Sequence, residues 1–186
     1  MEQKRILFIV NPISGTHSKE NVPVWIEKTI NKKAFAPEIV FTQYAGHAVE
    51  LTRQAVEEGF DSVVSVGGDG TCNEIARSLV HTDTALGIVP VGSGNGLARH
   101  LGIPLNPERA LQILNEAVVD RIDYCKANDR PFFCTCGMGF DAWVSKKFAE
   151  DTHPGKMTYT IQAHGETLNS HTEVLHHAPP AYIFDG

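Results

Sequence analysis

The sequence has little that would staple or anchor a chain. Its 186 residues hold four cysteines, Cys72, Cys125, Cys134 and Cys136, too few and too clustered for a disulfide framework. Cys125, Cys134 and Cys136 also leave a tetrahedral zinc site one ligand short, so Phe132 to Cys136 reads better as a strand with buried thiols. No apolar run approaches the roughly 20 residues of a membrane span. After Arg5 the run Ile6 to Val10 ends at Asn11-Pro12, too short for the core of a signal peptide. Basic charge is scarce: 16 Lys+Arg against 22 Asp+Glu leave a net charge of −6, the opposite of the basic stripe that a nucleic-acid partner requires. Hydrophobic residues, at 42%, suffice for a core without staples. A reducing cytoplasm is the expected compartment, with membrane contact no more than peripheral.

What is present is an alternation of strand and helix signals. Ile6-Leu7-Phe8-Ile9-Val10 is a continuous apolar run, as expected of a strand buried on both faces. Asn21 with Pro23 starts a helix whose apolar face is Val22, Trp25, Ile26 and Ile30. Strands are expected at 38–42, 62–66 and 86–91, with helices after Gly46, around Ile75 to Val80 and from Asn106-Pro107. Later strands are expected at 119–124 and 131–136. This order predicts an α/β fold in three layers (α/β/α), with an open, mostly parallel sheet. A domain is expected over 1–150. The tail 151–186 holds five of the nine histidines and Pro179-Pro180, and its apolar periodicity fades. His171, His176 and His177 have nothing around them to orient a metal.

Three glycine-bearing loops follow predicted strands at one edge of that sheet, where ligands of open α/β sheets bind. They are Asn11-Pro12-Ile13-Ser14-Gly15, Gly67-Gly68-Asp69-Gly70-Thr71 and Gly92-Ser93-Gly94-Asn95-Gly96. Glycines permit sharp turns and close approach of a ligand. The helix start after Gly68 offers unpaired N–H groups to phosphate. Asp69 fits either an N-cap or a carboxylate that shares a cation such as Mg²⁺ with phosphates. Thr42 joins this edge, or caps the turn toward Gly46. His47 either touches phosphate or only starts a helix. Lys146-Lys147 reads as a solvated face sooner than as a contact for anionic lipid. There is no G-x-x-x-x-G-K-[ST], and Gly92-x-Gly94-x-Gly96 is not the G-x-G-x-x-G spacing of a dinucleotide fold.

The ordered set Asn-Pro-Ile-Ser-Gly at 11–15, Thr42 with Gly46-His47-Ala48, Gly-Gly-Asp-Gly-Thr-Cys-Asn-Glu at 67–74 and Pro-Val-Gly-Ser-Gly-Asn-Gly-Leu-Ala-Arg at 90–99 resembles the catalytic domain of the diacylglycerol kinase and sphingosine kinase family, in its bacterial lipid-kinase branch. The resemblance covers about residues 4–150. It implies ATP binding by Asn11, Pro12, Ile13, Ser14, Gly15, Thr42, Gly67, Gly68, Asp69, Gly70, Thr71, Cys72, Asn73, Ser93, Gly94 and Asn95. It also implies Mg²⁺ and phosphorylation of a lipid hydroxyl, with Asp69 in the metal and phosphate network. Ser93 stands where many relatives have Thr and keeps the hydroxyl. Gly96 stands where many have Asp, which removes a carboxylate from the third loop.

Family members continue into a β-rich second domain that carries the catalytic base. Here the likeness stops near Thr158-Tyr159, so a truncated or frame-shifted product is expected, with exposed apolar surface and self-association. Two alternatives stand beside the lipid kinase. One is an NAD kinase-like enzyme, which shares the 67–71 motif. The other is a nucleotide-binding remnant without turnover.

Overall fold

The computed structural model describes residues 3–14 and 21–133. Six strands and five helices follow in order: β1 (Lys4–Val10), α1 (Val22–Thr29), β2 (Phe35–Phe41), α2 (His47–Glu57), β3 (Ser62–Gly67), α3 (Asp69–Leu79), β4 (Ala85–Pro90), α4 (Gly96–His100), α5 (Pro107–Leu114), β5 (Cys125–Ala127) and β6 (Arg130–Phe132). β1 to β4 form one parallel sheet in the order β2-β1-β3-β4, and β5 pairs with β6.

The alternation of β1 decides the layers. Ile6, Phe8 and Val10 pack on one face with Val22 and Ile26 of α1 and Ala110 and Leu111 of α5. Leu7 and Ile9 pack on the other with Ala48 and Ala55 of α2 and Ile75 and Leu79 of α3. Both sides of the strand are apolar because both are covered. Phe8, Ile9 and Val10 are fully buried, each stabilising the fold by about 1.5–3 kcal/mol relative to exposure. The three-layer α/β/α arrangement is the expected one.

At the amino ends of the strands, Arg5 ties several elements. Its backbone N–H donates to Asp61 Oδ2 at 2.7 Å. Its guanidinium donates to the Glu58 carbonyl at 2.8 Å and meets Glu38 at 3.1 Å. It also lies 3.8 Å over the Phe60 ring.

Several expectations shift. β2 runs Phe35–Phe41, three residues earlier than expected, because its register pairs Lys4 with Phe35. Pro37 is tolerated since β2 is an edge strand. Residues 119–124 form no strand: Val118 and Val119 are exposed and pair with no neighbour in either sheet. Asn21 sits in helical geometry and makes no side-chain cap, whereas Asn106 caps α5 by accepting the Arg109 N–H at 2.9 Å. The expected boundary near Glu150, Cys134 and Cys136, Lys146-Lys147 and the histidine tail lie outside the described residues. The parallel sheet and its strand-end loops lie in the first compact unit, Met1–Tyr124 with Phe132–Cys134.

Candidate functional site

The carboxyl ends of the four parallel strands are stitched into a continuous edge. Thr42 N–H donates to the Val10 carbonyl at 2.9 Å, Asn11 N–H to Val66 at 3.0 Å and Val91 N–H to Gly67 at 3.0 Å. From β1 the chain proceeds outward to β2, and from β3 outward to β4, so the connection reverses between β1 and β3. The crevice at such a reversal is where open α/β sheets hold ligands. Asn11 and Gly67 stand there.

The first turn of α3 organises this edge. Gly68 is its N-cap, and the first intrahelical bond runs from Cys72 N–H to the Gly68 carbonyl at 3.0 Å. The amides of Asp69, Gly70 and Thr71 therefore precede the intrahelical ladder and carry the positive end of the helix dipole. Asp69 caps no group of its own helix. Its carboxylate accepts Asn95 N–H at 2.8 Å and Gly96 N–H at 2.5 Å, closing the start of α4. The Thr71 hydroxyl accepts from Asn11 Nδ2 at 3.0 Å. Glu74 Oε1 accepts Gly46 N–H at 3.1 Å, at the N-cap of α2. Three side chains of one helix thus fasten the loops after β4, β1 and β2.

The loop after β4 is braced from within. Asn95 adopts a left-handed conformation at φ 56° and is buried. Its Oδ1 accepts Gly92 N–H at 3.0 Å and its Nδ2 donates to the Gly92 carbonyl at 2.7 Å. Arg99 reaches back along α4, and its Nε donates to the Gly94 carbonyl at 2.8 Å. Glycine is required at 92 because a Cβ there would come within 3 Å of Gly68 Cα. Gly68 itself has φ −95°, so its need for a small residue is the close approach of Gly92 and not backbone strain.

The structure brings Asn11, Thr42, Gly67 to Thr71 and Gly92 to Asn95 to this one edge. Asn11 folds its own loop, accepting Ile13 N–H at Oδ1 and the Ser14 hydroxyl at its carbonyl. Pro12, Ile13 and Ser93 are exposed. Gly15 lies outside the described residues. Cys72 sits at the base, packed with Ile88, Leu97 and Ala98. Asn73 Oδ1 is buried without a hydrogen-bond partner. His47 uses Nδ1 to accept Gln43 N–H at 3.1 Å, which is a local cap. Tyr44 carries no sequence signal, and Glu74 and Arg99 stand in the 67–74 and 90–99 motifs without a role read for them; no local pattern marks a carboxylate that reaches 28 residues back to Gly46. Gly67, Gly68, Asp69, Pro90 and Asn95 line a cleft at this edge. Among the described residues no group of three His, Cys, Asp or Glu side chains could hold a metal ion unaided.

A parallel α/β domain with a helix start of unladdered amides at its switch point belongs to the open α/β folds whose ligands are held at the strands' carboxyl ends. Comparison with known proteins then narrows the class. Residues 5–127 match the model of the diacylglycerol kinase catalytic domain, and the chain belongs to that family. It is 31% identical over 133 residues to a diacylglycerol kinase of Staphylococcus saprophyticus, covering 70% of this chain and 43% of the relative. It is 37% identical over 112 residues to a Pseudomonas putida protein named "Probable lipid kinase YegS-like", covering 59% and 38%. The crystal structure of a diacylglycerol kinase from Bacillus anthracis str. Sterne superposes with a TM-score of 0.61 at 28% identity, covering 71% of this chain and 49% of that one. The chain thus spans about half of that structure, and less of the two curated relatives.

Proposed function

We propose that this chain forms the nucleotide-binding part of an ATP-dependent lipid kinase, which transfers the γ-phosphoryl of Mg·ATP to the hydroxyl of diacylglycerol or a related lipid. The observation that carries the reading is the start of α3. Three amides that precede the intrahelical ladder lie at the switch point, next to the one carboxylate of the glycine loops, Asp69. Phosphoryl transfer depends on positioning and charge neutralisation more than on covalent chemistry. The Asp69, Gly70 and Thr71 amides would receive phosphate oxygens. Asn11 and Asn95 would hold the flanking loops at the distance that cradle needs. Ser93, exposed on the loop after β4, is free to approach the nucleotide.

The donor set fits Mg²⁺ as an ion that arrives with the nucleotide. Each Asp69 oxygen accepts one backbone N–H, which leaves lone pairs for the ion or its waters. Mg²⁺ characteristically takes one or two carboxylates together with phosphate oxygens. When bound, it would neutralise phosphate charge beside Asp69. Among the described residues of the site, Asp69 is the only carboxylate of the glycine loops, and both its oxygens are engaged. With its remaining lone pairs given to the ion, no carboxylate of those loops is left to orient an acceptor hydroxyl, which favours a second reading for this chain alone: nucleotide binding without turnover. The names of the relatives favour a lipid acceptor over NAD. A lipid substrate places the protein at a membrane surface, and no described helix is long and apolar enough to cross one.

Calorimetry with Mg·ATP should give one site. An assay with radiolabelled ATP and mixed-micelle diacylglycerol, sphingosine, phosphatidylglycerol and, separately, NAD then assigns the acceptor. Absence of heat and of a thermal shift at millimolar nucleotide would sink the proposal. Labelled lipid from the chain alone, lost in Asp69→Asn, would overturn the reading without turnover.

A further inference from the structure

The loop between β2 and α2 is fastened more thoroughly than a surface connection requires. Its first residue, Thr42, is bonded to β1. Gln43 N–H donates to His47 Nδ1 at 3.1 Å, and His47 N–H donates to the Tyr44 carbonyl at 3.2 Å. Gly46, at φ 91°, gives its N–H to Glu74 on α3. The Tyr44 hydroxyl donates to Glu50 Oε2 at 2.8 Å, one turn into α2. What these bonds hold in place is an aromatic pair. The rings of Tyr44 and His47 stack with centroids 4.6 Å apart and planes 18° apart. Tyr44 is nonetheless 53% exposed, and neither ring belongs to a core cluster. An exposed ring contributes little to folding. A ring whose torsions are already fixed can receive a second flat ring with little further loss of rotamer freedom.

The position of the pair gives the chemistry. β2 lies two strands from β3 in the sheet order, so the loop after β2 begins about 10 Å from the loop after β3, taking about 4.8 Å per strand. A nucleotide with its phosphates at the start of α3 has its base at such a remove. We infer that the Tyr44–His47 stack is a platform for the purine ring of the nucleotide, and that Glu74 is the positioning residue that holds the platform at the height of the phosphate cradle. This rests on the proposed binding of ATP and adds to it the surface that receives the base. The same helix, α3, then sets the phosphate end through its first-turn amides and the base end through Glu74.

The test compares two probes on the 186-residue chain: Mg·ATP, and inorganic tripolyphosphate with Mg²⁺, which has phosphates and no base. Tyr44→Ser should weaken Mg·ATP about tenfold, the scale of one base–aromatic stack, and leave tripolyphosphate within twofold. Tyr44→Phe should stay within twofold of the parent for both. Glu74→Ala should weaken Mg·ATP, and Glu74→Gln, whose amide oxygen still accepts the Gly46 N–H, should restore it; a merely structural loss would instead move both probes together. If the parent binds both probes and Tyr44→Ser binds ATP unchanged, or loses both equally, the platform is refuted while the nucleotide site stands. If the parent binds neither, the proposed function fails and the platform with it. If Tyr44→Ser changes only the response to diacylglycerol-containing vesicles, the ring serves a lipid surface and the inference is overturned.

Discussion

Two glycines of the same cradle should respond in opposite ways to one methyl group, and the contrast separates fold from site. A Cβ on Gly92 would press on Gly68 Cα within 3 Å, with Asn95 Oδ1 at 2.9 Å on another side. Gly68 Cα is backbone, and the Asn95 amide is held by two hydrogen bonds to Gly92, so Gly92→Ala should cost about 1–3 kcal/mol of stability through overpacking. A Cβ on Gly70 meets nothing within 4 Å, and the residue lies in the first turn of α3. Gly70→Ala should therefore be neutral or stabilise the helix, by up to about 0.5 kcal/mol. Its methyl nevertheless projects from a turn where phosphate oxygens would approach the backbone. Displacing one charge-assisted hydrogen bond, worth about 1.5–3 kcal/mol, should weaken Mg·ATP by about tenfold or more. The assay is a urea melt beside calorimetric titration, on both variants and the parent. A Gly70→Ala chain that melts like the parent and binds Mg·ATP like the parent would refute the phosphate cradle. A Gly92→Ala chain of parental stability would refute the interlock of the two loops.

Asp69→Asn should lose about 1–2 kcal/mol of stability, because an amide can accept only one of the two N–H groups that Asp69 now receives; the same variant should show little Mg²⁺ enhancement of ATP binding when titrated with and without EDTA. Arg5→Ala should cost about 1–2 kcal/mol, since it removes an exposed cation–π contact, the guanidinium bond to the Glu58 carbonyl and the surface ion pairs with Glu38 and Glu58, while the backbone bond to Asp61 stays; a denaturant melt with an unchanged slope checks it. Asn106→Ala should cost about 1 kcal/mol through the lost α5 cap, read by the same melt, whereas Asn21→Ala should cost far less because Asn21 makes no cap. The Tyr44 phenol is pushed above its usual value of 10.0, first by its hydrogen bond to Glu50 and then by slight desolvation and the Glu50 charge. Its neutral form is thus favoured in the folded chain, so its contribution to stability is present below pH 10 and is lost as pH rises through the raised value. Absorbance titration at alkaline pH should show one tyrosine ionising late, and earlier in Glu50→Ala.

The layers and the edge were legible in the sequence because their signals are local. The unbroken apolar run at 6–10 has a single explanation in a parallel sheet, and glycine loops directly after such runs fall by topology at the strands' carboxyl ends. Strand ends were less legible where register decided them. β2 begins at Phe35 because β1 offers a partner there, although Phe35-Ala36-Pro37 carries no clear alternation. Val119 to Tyr124 carries apolar and β-branched residues, yet no strand among the described residues pairs with it, and a strand signal without a ladder leaves Val119 and Ile122 exposed. The roles of site residues were the least legible part. Asp69 could be read as a cap or a metal group, but its partners lie 26 and 27 residues ahead. Thr71 faces Asn11, 60 residues behind. Such pairings exist only once the sheet has brought the loops together.

The fastening of three loops to α3 has a mechanical consequence. The amides of Gly46, Asn95 and Gly96, and the Asn11 side chain, are far apart along the chain but end on a single helical segment of six residues. Loops in most folds loosen independently, each with its own small opening free energy. Here the first turns of α3 cannot fray without releasing all three at once, and none of the three can drift far while those turns hold. The strand-end loops therefore form one cooperative opening unit. Their amide hydrogens should exchange with a shared free energy, and a ligand that settles on α3 should slow exchange at Gly46 as much as at Asn95, although the two lie on the separate loops after β2 and β4.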